Sequence, residues 1–403
     1  MKKLRAYLPE NWNLVFAGFA SAYGIGLLSL LALPFLISAV MTDLSLDEAA
    51  AGYLLSAEFA FTMIASLIVA PLMGTAPRRT LAIIGGLVAI AANIISATIA
   101  DVYTLAIFRC IAGAGAGLCL ACGNACVSSA KDPDKVAGYM NVLFVALMIL
   151  VMIIFASTMA SYGLSGLYYA IAITMSIMLL LIFMMPQQVD TSGHGYHHHP
   201  DDMKLFSGAS IFMISAMFLF SARDTMGWAF VEQVGINVGY DGEALGMLFS
   251  LQAFIGLLGP LAAAIIGKRF GISIPVILGV IICGSATIGY VMGEASKELY
   301  TVAVLMNAAA YFYALAYLTA LAASLDREGR IVAAASSFLT LGVAVGPALS
   351  GTLIASGGYE LTAIAVGVTV ILTVICLFIP IAKAKERHEH IRASQAAEAS
   401  LVQ

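Results

Sequence analysis

The sequence predicts an all-α membrane protein in which twelve helices cross the bilayer and form two pseudo-symmetric six-helix bundles. Three observations lead to this fold class. Of the 403 residues, 61% are apolar and only 10% are charged, whereas about 25% of residues are charged in a typical soluble domain. Apolar runs of membrane-spanning length recur along the whole chain. One long polar break, Gln187 to Leu205, divides these runs six and six.

Each run is predicted to be a helix, because a chain in lipid must satisfy its backbone hydrogen bonds internally. The alternation of apolar and polar residues that is typical of a membrane β-barrel is missing. In chain order the predicted spans cover residues 12–41, 45–73, 79–100, 102–128, 136–160, 163–186, 206–232, 243–266, 272–293, 299–323, 330–356 and 359–383. The predicted domains are an N-terminal bundle (1–186), a linker that contains histidines (187–205), a C-terminal bundle (206–383) and a tail (384–403).

The Lys and Arg residues predict the orientation of these spans, since cytoplasmic loops are enriched in both residue types. With the N-terminus inside, sixteen of the 19 Lys and Arg residues fall on the cytoplasmic side and only Lys297 falls outside. The remaining two, Arg109 and Arg223, lie within spans. We therefore expect a multi-pass protein of the cell inner membrane, with both termini, the linker and the tail in the cytoplasm.

The sequence gives no indication of a cofactor or an enzyme active site. It contains neither a phosphate-binding loop nor a hydrolase constellation, so ATP-driven transport and catalysis are not expected. Cys119, Cys122 and Cys126 recur at helical spacing, which suits a soft-metal site but also small residues at a helix contact. The histidine run of the linker is compatible with metal binding or with a solvated loop. We predict no metal, no cofactor and no nucleic-acid partner.

The two halves share a short sequence pattern at a constant offset of 194 residues. Each match is weak alone, but together they predict parallel repeats related by an axis along the membrane normal. The matching positions are Gly52, Leu54, Ser56 and Glu58 in the first half, and Gly246, Leu248, Ser250 and Gln252 in the second.

A glycine-rich motif in the fourth span, Leu105 to Gly117, carries a family resemblance. It has a Leu, Arg109 four residues later, and a Gly-rich stretch that starts four residues after the arginine. With two six-span halves and a central loop, it resembles the fourth-helix signature of the major facilitator superfamily. The loop Gly267-Lys268-Arg269-Phe270-Gly271 is similar to the basic loop motif of that family. The matching first-half loop keeps Arg78 and Arg79 but lacks the usual acidic residue.

Glu58 and Arg109 are predicted to couple proton movement to transport. A charge at mid-membrane costs about 2.5–3.5 kcal/mol on insertion scales, so it needs a reason. An ionised Glu58 can pair with Arg109, and protonation would release the arginine. The family resemblance implies the same coupling role for Arg109. The alternative is a static ion pair that fixes helix packing.

Arg223 and Asp224 are the other charges predicted within a span. Neighbours on a helix point about 100° apart, so we expect these two side chains not to face each other. Arg223 is predicted to hold an anionic substrate, and Asp224 to orient it or to serve as a second proton site. Trp228, one turn beyond Asp224, is predicted to contact the substrate. The alternative is that both charges snorkel to the interface.

The resemblance implies a central cavity lined by the first, fourth, seventh and tenth helices. Several polar and aromatic side chains fall on or near those helices, although tyrosines also pack readily between helices. The further substrate-binding candidates are Tyr23, Gln252, Asn307, Tyr311, Tyr313 and Tyr317.

The predicted function is a proton-coupled symporter that moves a small organic anion by alternating access as a monomer in the bilayer. The proton gradient would be its driving force. The fifth span lacks the Gly-Pro motif of many exporters in the family, which favours import. One alternative is a proton-coupled antiporter that exports hydrophobic compounds or metabolites. A receptor or sensor that binds without transport is the alternative from another class.

Overall fold

The computed structural model describes residues 11–130, 133–187, 207–267, 269, 271–325 and 330–401. This part of the chain is helical and contains no β-strand. Nine of its helical stretches are long and apolar enough to cross a membrane. Two of the nine turn back at a glycine and so hold two helices each, and Gly208–Trp228 adds another. The predicted twelve spans are therefore confirmed.

The helices are named α1 to α12 in chain order, and their bounds follow the predicted spans closely. α12 continues past the predicted end of its span into the predicted tail. The bounds are α1 Trp12–Asp43, α2 Glu48–Val69, α3 Arg78–Ser96, α4 Val102–Ser128, α5 133–162, α6 164–182, α7 Gly208–Trp228, α8 Gly242–Ile266, α9 Ser273–Val291, α10 Lys297–Leu325, α11 330–356 and α12 359–401.

Aspartates at three helix starts explain why those helices begin where they do. Asp47, Asp101 and Asp241 each accept a hydrogen bond from the backbone N–H three residues on, at 2.7, 2.8 and 2.7 Å. Such caps satisfy a donor that the helix itself leaves unpaired. At the exposed Asp101, hydrogen bonds from the Thr104 hydroxyl and backbone lower the pKa of the carboxyl. The caps of α2, α4 and α8 thus fix the ends of three spans.

Two pairs of helices reverse direction without a connecting loop. α5 and α6 meet at Gly163, which has φ 60° and ψ −151°. The Asp43 carboxylate, at the end of α1, accepts a hydrogen bond of 2.7 Å from the backbone N–H of Leu164. α11 and α12 meet at Gly357 and Gly358, the latter with φ 71°. The reversals lie 194 residues apart, which is the offset of the sequence repeat.

Gly163→Ala is expected to lower the stability of the protein. The conformation of Gly163 is one that only glycine adopts readily and costs another residue about 1–3 kcal/mol. A Cβ at this position would also lie 2.5 Å from an Asp43 carboxylate oxygen. The measurement is the thermal unfolding midpoint of the purified protein. Gly138→Ala is the control, because a Cβ there meets nothing within 4 Å. Equal midpoints for the two variants would contradict this account.

The two halves pack against each other in the part of the bundle that lies away from the chain termini. α2 meets α11, and a Cβ on Gly52 would lie 2.3 Å from the carbonyl oxygen of Pro347. In the same contact, a Cβ on Gly351 would lie 2.2 Å from the carbonyl oxygen of Glu48. The Ser56 hydroxyl accepts a hydrogen bond of 2.9 Å from the backbone N–H of Ala348.

The second contact between the halves repeats the first. α8 meets α5, where a Cβ on Gly246 would lie 3.0 Å from the carbonyl oxygen of Met152. The Ser250 hydroxyl donates a hydrogen bond of 2.8 Å to the carbonyl oxygen of Ile149. Gly246 and Ser250 are the repeat partners of Gly52 and Ser56. We call these two contacts, α2 with α11 and α8 with α5, the packed end.

Trp228 and two phenylalanines close the packed end around α1. The indole N–H of Trp228 donates a hydrogen bond of 2.9 Å to the carbonyl oxygen of Leu30 in the other half. The ring of Phe249 lies 5.6 Å from the ring of Trp228 and 5.8 Å from that of Phe35. In this conformation Trp228 therefore joins the halves and is 7% exposed, and its contact with the substrate stays a prediction.

Candidate functional site

Glu58 and Arg109 form an ion pair in the interior of the N-terminal half. Arg109 on α4 is 0% exposed and Glu58 on α2 is 2% exposed. One guanidinium nitrogen of Arg109 lies 3.4 Å from Glu58 Oε2. The Ser29 hydroxyl of α1 donates a hydrogen bond of 2.7 Å to Glu58 Oε1. The predicted contact is present, and the carboxylate joins three helices of the half.

The glycine-rich motif of α4 brings these two side chains together. A Cβ on Gly113 would lie 2.1 Å from the carbonyl oxygen of Glu58. A Cβ on Gly117, one turn later, would lie 2.2 Å from the carbonyl oxygen of Thr62. Small residues at a helix contact let the two backbones approach closely. The motif therefore lets α2 pack closely against α4 at Glu58.

Arg109 keeps further partners that do not depend on Glu58. Its guanidinium donates hydrogen bonds to Asn93 Oδ1 at 3.1 Å and to the Ser96 hydroxyl at 2.7 Å, both on α3. It also lies over the ring of Tyr168 on α6, 4.4 Å from the ring centre. Protonation of Glu58 would remove one partner and leave the α3 partners in place. Arg109 would then lose its ionic partner but keep its hydrogen bonds to α3 and its contact with Tyr168.

Arg223 and Asp224 do face each other, so that prediction is wrong. A guanidinium nitrogen of Arg223 lies 3.5 Å from Asp224 Oδ1. The long arginine side chain covers the angle that separates neighbouring positions on a helix. Arg223 is 1% exposed and also donates to the Thr287 hydroxyl at 2.7 Å and to Cys283 Sγ at 3.2 Å. It therefore points into α9, whereas the Asp224 side chain is 19% exposed.

Neutral polar side chains of α1 and α10 come near one another across the halves. Tyr23 belongs to a π-helical turn of α1, and its hydroxyl donates a hydrogen bond of 3.1 Å to Asn141 of α5. On α10, Asn307 lies beside Asp224, and Tyr311 stacks on Phe220 with ring centres 5.2 Å apart. The hydroxyls of Tyr311 and Tyr23 are close enough to interact electrostatically across the halves. These groups form the candidate solute site.

The remaining predicted site residues lie elsewhere. Tyr317 donates hydrogen bonds to the carbonyl oxygens of Ala263 and Gly267 at the end of α8, at 3.3 and 2.9 Å. The ring of Tyr313 packs 5.1 Å from that of Tyr317, on the same face of α10. Gln252 is 2% exposed in this conformation, and its contact with the substrate stays a prediction. In this conformation Tyr317 joins α10 to the end of α8, and the ring of Tyr313 lies beside Gly279 of α9.

The sequence matches the family model described as Major Facilitator Superfamily twice, over residues 14–210 and over residues 205–403. Together the two matches cover nearly the whole chain, and each covers one six-helix half. The chain belongs to the major facilitator superfamily. It is thus a multi-pass membrane protein of a transporter family. No curated protein sequence matches it significantly.

The solved structures of two transporters resemble the fold of this chain. The nucleoside transporter NupG has a TM-score of 0.70 and 14% identity, covering 92% of this chain and 98% of its own. A D-xylose-proton symporter has a TM-score of 0.65 and 14% identity, covering 91% of this chain and 94% of its own. At such low identity these likenesses concern the fold.

The loop motifs of the superfamily fall partly within the described residues. In the first half, Arg78 donates from Nε to the carbonyl oxygen of Met73 at 2.6 Å and from its terminal nitrogen to that of Ala125 at 2.9 Å. Arg79 donates to the carbonyl oxygen of Met185 beyond α6. Basic side chains are favourable at the carbonyl ends of helices. Lys268 and the histidine run of the linker lie outside the described residues.

The cysteines of α4 bond to neighbouring backbone. Cys119 donates to the carbonyl oxygen of Ala82 at 3.2 Å, and Cys126 donates to that of Cys122 at 3.6 Å. Both thiols are buried. This arrangement agrees with the packing alternative for the cysteine pattern.

Sequence reasoning missed a buried carboxyl group in the second half, that of Glu232. It lies in a short helix, Val231–Asn237, that follows α7 after a break at Ala229 and Phe230. Glu232 is the last residue of the predicted seventh span, where a carboxylate is expected to reach water. Its 1% exposure comes from tertiary packing. A single sequence carries little signal for such burial.

Proposed function

We propose that this member of the superfamily is a proton-coupled symporter for a small organic solute, with Glu58 and Arg109 as the coupling pair. The single observation that carries the proposal is the buried contact of 3.4 Å between these two side chains. A buried ion pair is poor evidence for stability alone, because desolvation offsets much of the attraction. A role in charge movement accounts for its presence.

Proton binding at Glu58 would act on helices of the predicted cavity. The carboxylate accepts from Ser29 of α1 and pairs with Arg109 of α4. Neutralising it removes the ionic attraction between α2 and α4 and changes the acceptor for Ser29. Because these helices adjoin Tyr23 and the packed end, proton occupancy at Glu58 can bias the choice between two arrangements of the halves.

We further propose that the solute is uncharged and polar. The predicted anion depended on Arg223, which is covered by α9 in this conformation, while the carboxylate of Asp224 is partly exposed. The neutral groups of the candidate solute site, Tyr23, Asn307 and Tyr311, offer hydrogen bonds and an aromatic face. The two similar structures are described as a nucleoside transporter and a D-xylose-proton symporter, which supports this choice.

Addition of a transported nucleoside or pentose to proteoliposomes is expected to move protons inward with the solute. The full-length protein would be reconstituted with a pH-sensitive dye in the lumen, and panels of nucleosides, pentoses and organic anions would be added outside. Acidification with neutral solutes supports the proposal, whereas a response to anions alone overturns the solute class. Alkalinisation of the lumen would indicate the antiporter instead. Binding of a solute without any counterflow would indicate a receptor.

A further inference from the structure

Glu232 is a buried carboxyl group without a hydrogen-bonding or ionic partner in the part of the chain that the structure describes. It is 1% exposed, and its Oε2 atom is fully buried and accepts no hydrogen bond. It lies on the short helix Val231–Asn237, next to the packed end. Neither the sequence patterns nor the proposed coupling pair gives this residue a role.

Buried apolar side chains flank Glu232 on its own helix, and one hydroxyl of the described residues, that of Tyr300, interacts with it. Val231 and Val234 on the same helix are each 1% exposed. Gly235, on the same face one turn later, packs against Leu245 and the Tyr300 hydroxyl. Tyr300 of α10 interacts electrostatically with Glu232, but its hydroxyl already donates to the carbonyl oxygen of Val231 at 2.7 Å. The carboxyl group therefore lacks a donor that would stabilise its negative charge.

The charged groups of neighbouring elements are engaged elsewhere. Asp43 of α1 accepts from the backbone N–H of Leu164, and Glu294 accepts from the Asn237 side chain at 2.8 Å. Lys297 of α10 lies 3.9 Å from the ring centre of Tyr240 and donates to a backbone carbonyl. Burial raises the pKa of the Glu232 carboxyl, and within the described residues no Lys or Arg interacts with it.

A series of interacting titratable side chains leads from Tyr300 to Asp224. Tyr300 interacts electrostatically with Tyr290 of α9, and Tyr290 interacts in turn with Asp224 and Arg223. The Tyr290 hydroxyl is buried and interacts with the side chain of Thr287 on the same helix. Asp224, at the other end of this series, is partly exposed. The intervening groups are neutral phenols, so none of them supplies a positive charge to Glu232.

An ionised carboxylate in such a place is strongly disfavoured, because no described group compensates its lost hydration. The protonated carboxyl loses much less on burial, because it is an uncharged polar group. We infer that Glu232 is a second proton-binding site, separate from Glu58 and Arg109, and that it holds its proton while the packed end is closed.

The position of Glu232 links proton binding to the arrangement of the halves. The short helix packs against α1 of the other half, and Trp228, one turn earlier, donates to Leu30. Separation of the packed end removes this wall and admits water, which favours ionisation. The release of the proton on separation rests on the alternating access of the proposed function. The binding of the proton in the closed conformation is independent of that proposal.

The test compares wild type, Glu232→Gln and Glu298→Gln in detergent, without any transport measurement. Glu298 is an exposed glutamate near the same end of the bundle and serves as the matched control. Difference infrared spectroscopy at neutral pH should show a protonated-carboxyl band in wild type and in the control, but not in Glu232→Gln. If wild type and Glu232→Gln have identical bands in this region, the inference is overturned.

Thermal unfolding against pH provides an independent measurement. A carboxyl group that is neutral when folded and ionised when unfolded makes wild type lose stability, relative to the Gln variant, as the pH rises. The unfolding midpoint of Glu232→Gln should therefore rise above that of wild type by about 2 °C or more at alkaline pH. Glu232→Met, which is also neutral, should behave in the same way. A variant that is less stable by the same amount at every pH would overturn the inference.

Discussion

Glu58→Gln is expected to abolish proton-driven accumulation of solute while it preserves exchange of solute across the membrane. Glutamine imitates the protonated carboxyl and can keep the hydrogen bond with Ser29, which donates to Glu58 Oε1 at 2.7 Å in wild type. Exchange needs no net proton movement, so it should continue. Accumulation needs the group to bind and release a proton in each cycle, which an amide cannot do.

The measurement is uptake and exchange in proteoliposomes, with and without an imposed pH gradient. Glu243→Gln is the matched control, because Glu243 is an exposed carboxylate in the first turn of α8. Accumulation by Glu58→Gln at the wild-type rate would show that Glu58 is structural, and Asp224 would be the next coupling candidate.

Arg109→Ala should damage both accumulation and exchange, because removing one partner of a buried pair costs about 3–5 kcal/mol.

Gly52→Val is expected to prevent closure of the packed end and thereby to stop the transport cycle. A Cβ at this position would lie 2.3 Å from the carbonyl oxygen of Pro347, on the backbone of α11. Overpacking of this kind costs about 1–3 kcal/mol, and each 1.4 kcal/mol is about a tenfold change in an equilibrium constant. Because the added side chain destabilises only the closed arrangement, the conformational population should shift towards separated halves.

Distances between spin labels would measure this shift directly. Tyr162 at the end of α5 and Glu298 at the start of α10 are both exposed and belong to different halves. With labels at these two positions, and with the partly exposed Cys110 and Cys376 replaced, Gly52→Val should lengthen the distance. Gly138→Val is the control, since a Cβ there meets nothing within 4 Å. An unchanged distance distribution in Gly52→Val would contradict the role given to this contact.

The fold could be predicted from the sequence because the bilayer imposes strong constraints on a chain. Apolar length and the distribution of Lys and Arg sufficed for all twelve spans. The contact between Glu58 and Arg109 was predictable because a charge in a span requires a partner. The fourth-helix glycines were visible as a motif, but their role at Glu58 and Thr62 depends on the packing of α2 against α4.

The second half was harder to predict because its polar side chains are long or stand at span edges. Arg223 can reach several neighbouring helices, and only tertiary packing selects Thr287 and Cys283 of α9. Trp228 was assigned to the solute because it follows Asp224 by one turn, yet its N–H bonds to the other half. Glu232 stood at the boundary of a span, where burial depends on the break after α7 rather than on hydropathy.

The reversals at Gly163 and Gly358 give the lipid itself an influence on the packed end. α6 and α12 present apolar side chains to the bilayer, among them Leu180 and Ile364, which are 68% and 62% exposed. Each is joined without a loop to α5 or α11, which carry the contacts between the halves. A mismatch between helix length and bilayer thickness costs fractions of a kcal/mol per Å, and a tilt that relieves it in α6 or α12 is transmitted to α5 or α11. In the proposed transport cycle, membrane thickness is therefore expected to affect the balance between the closed and the separated arrangement.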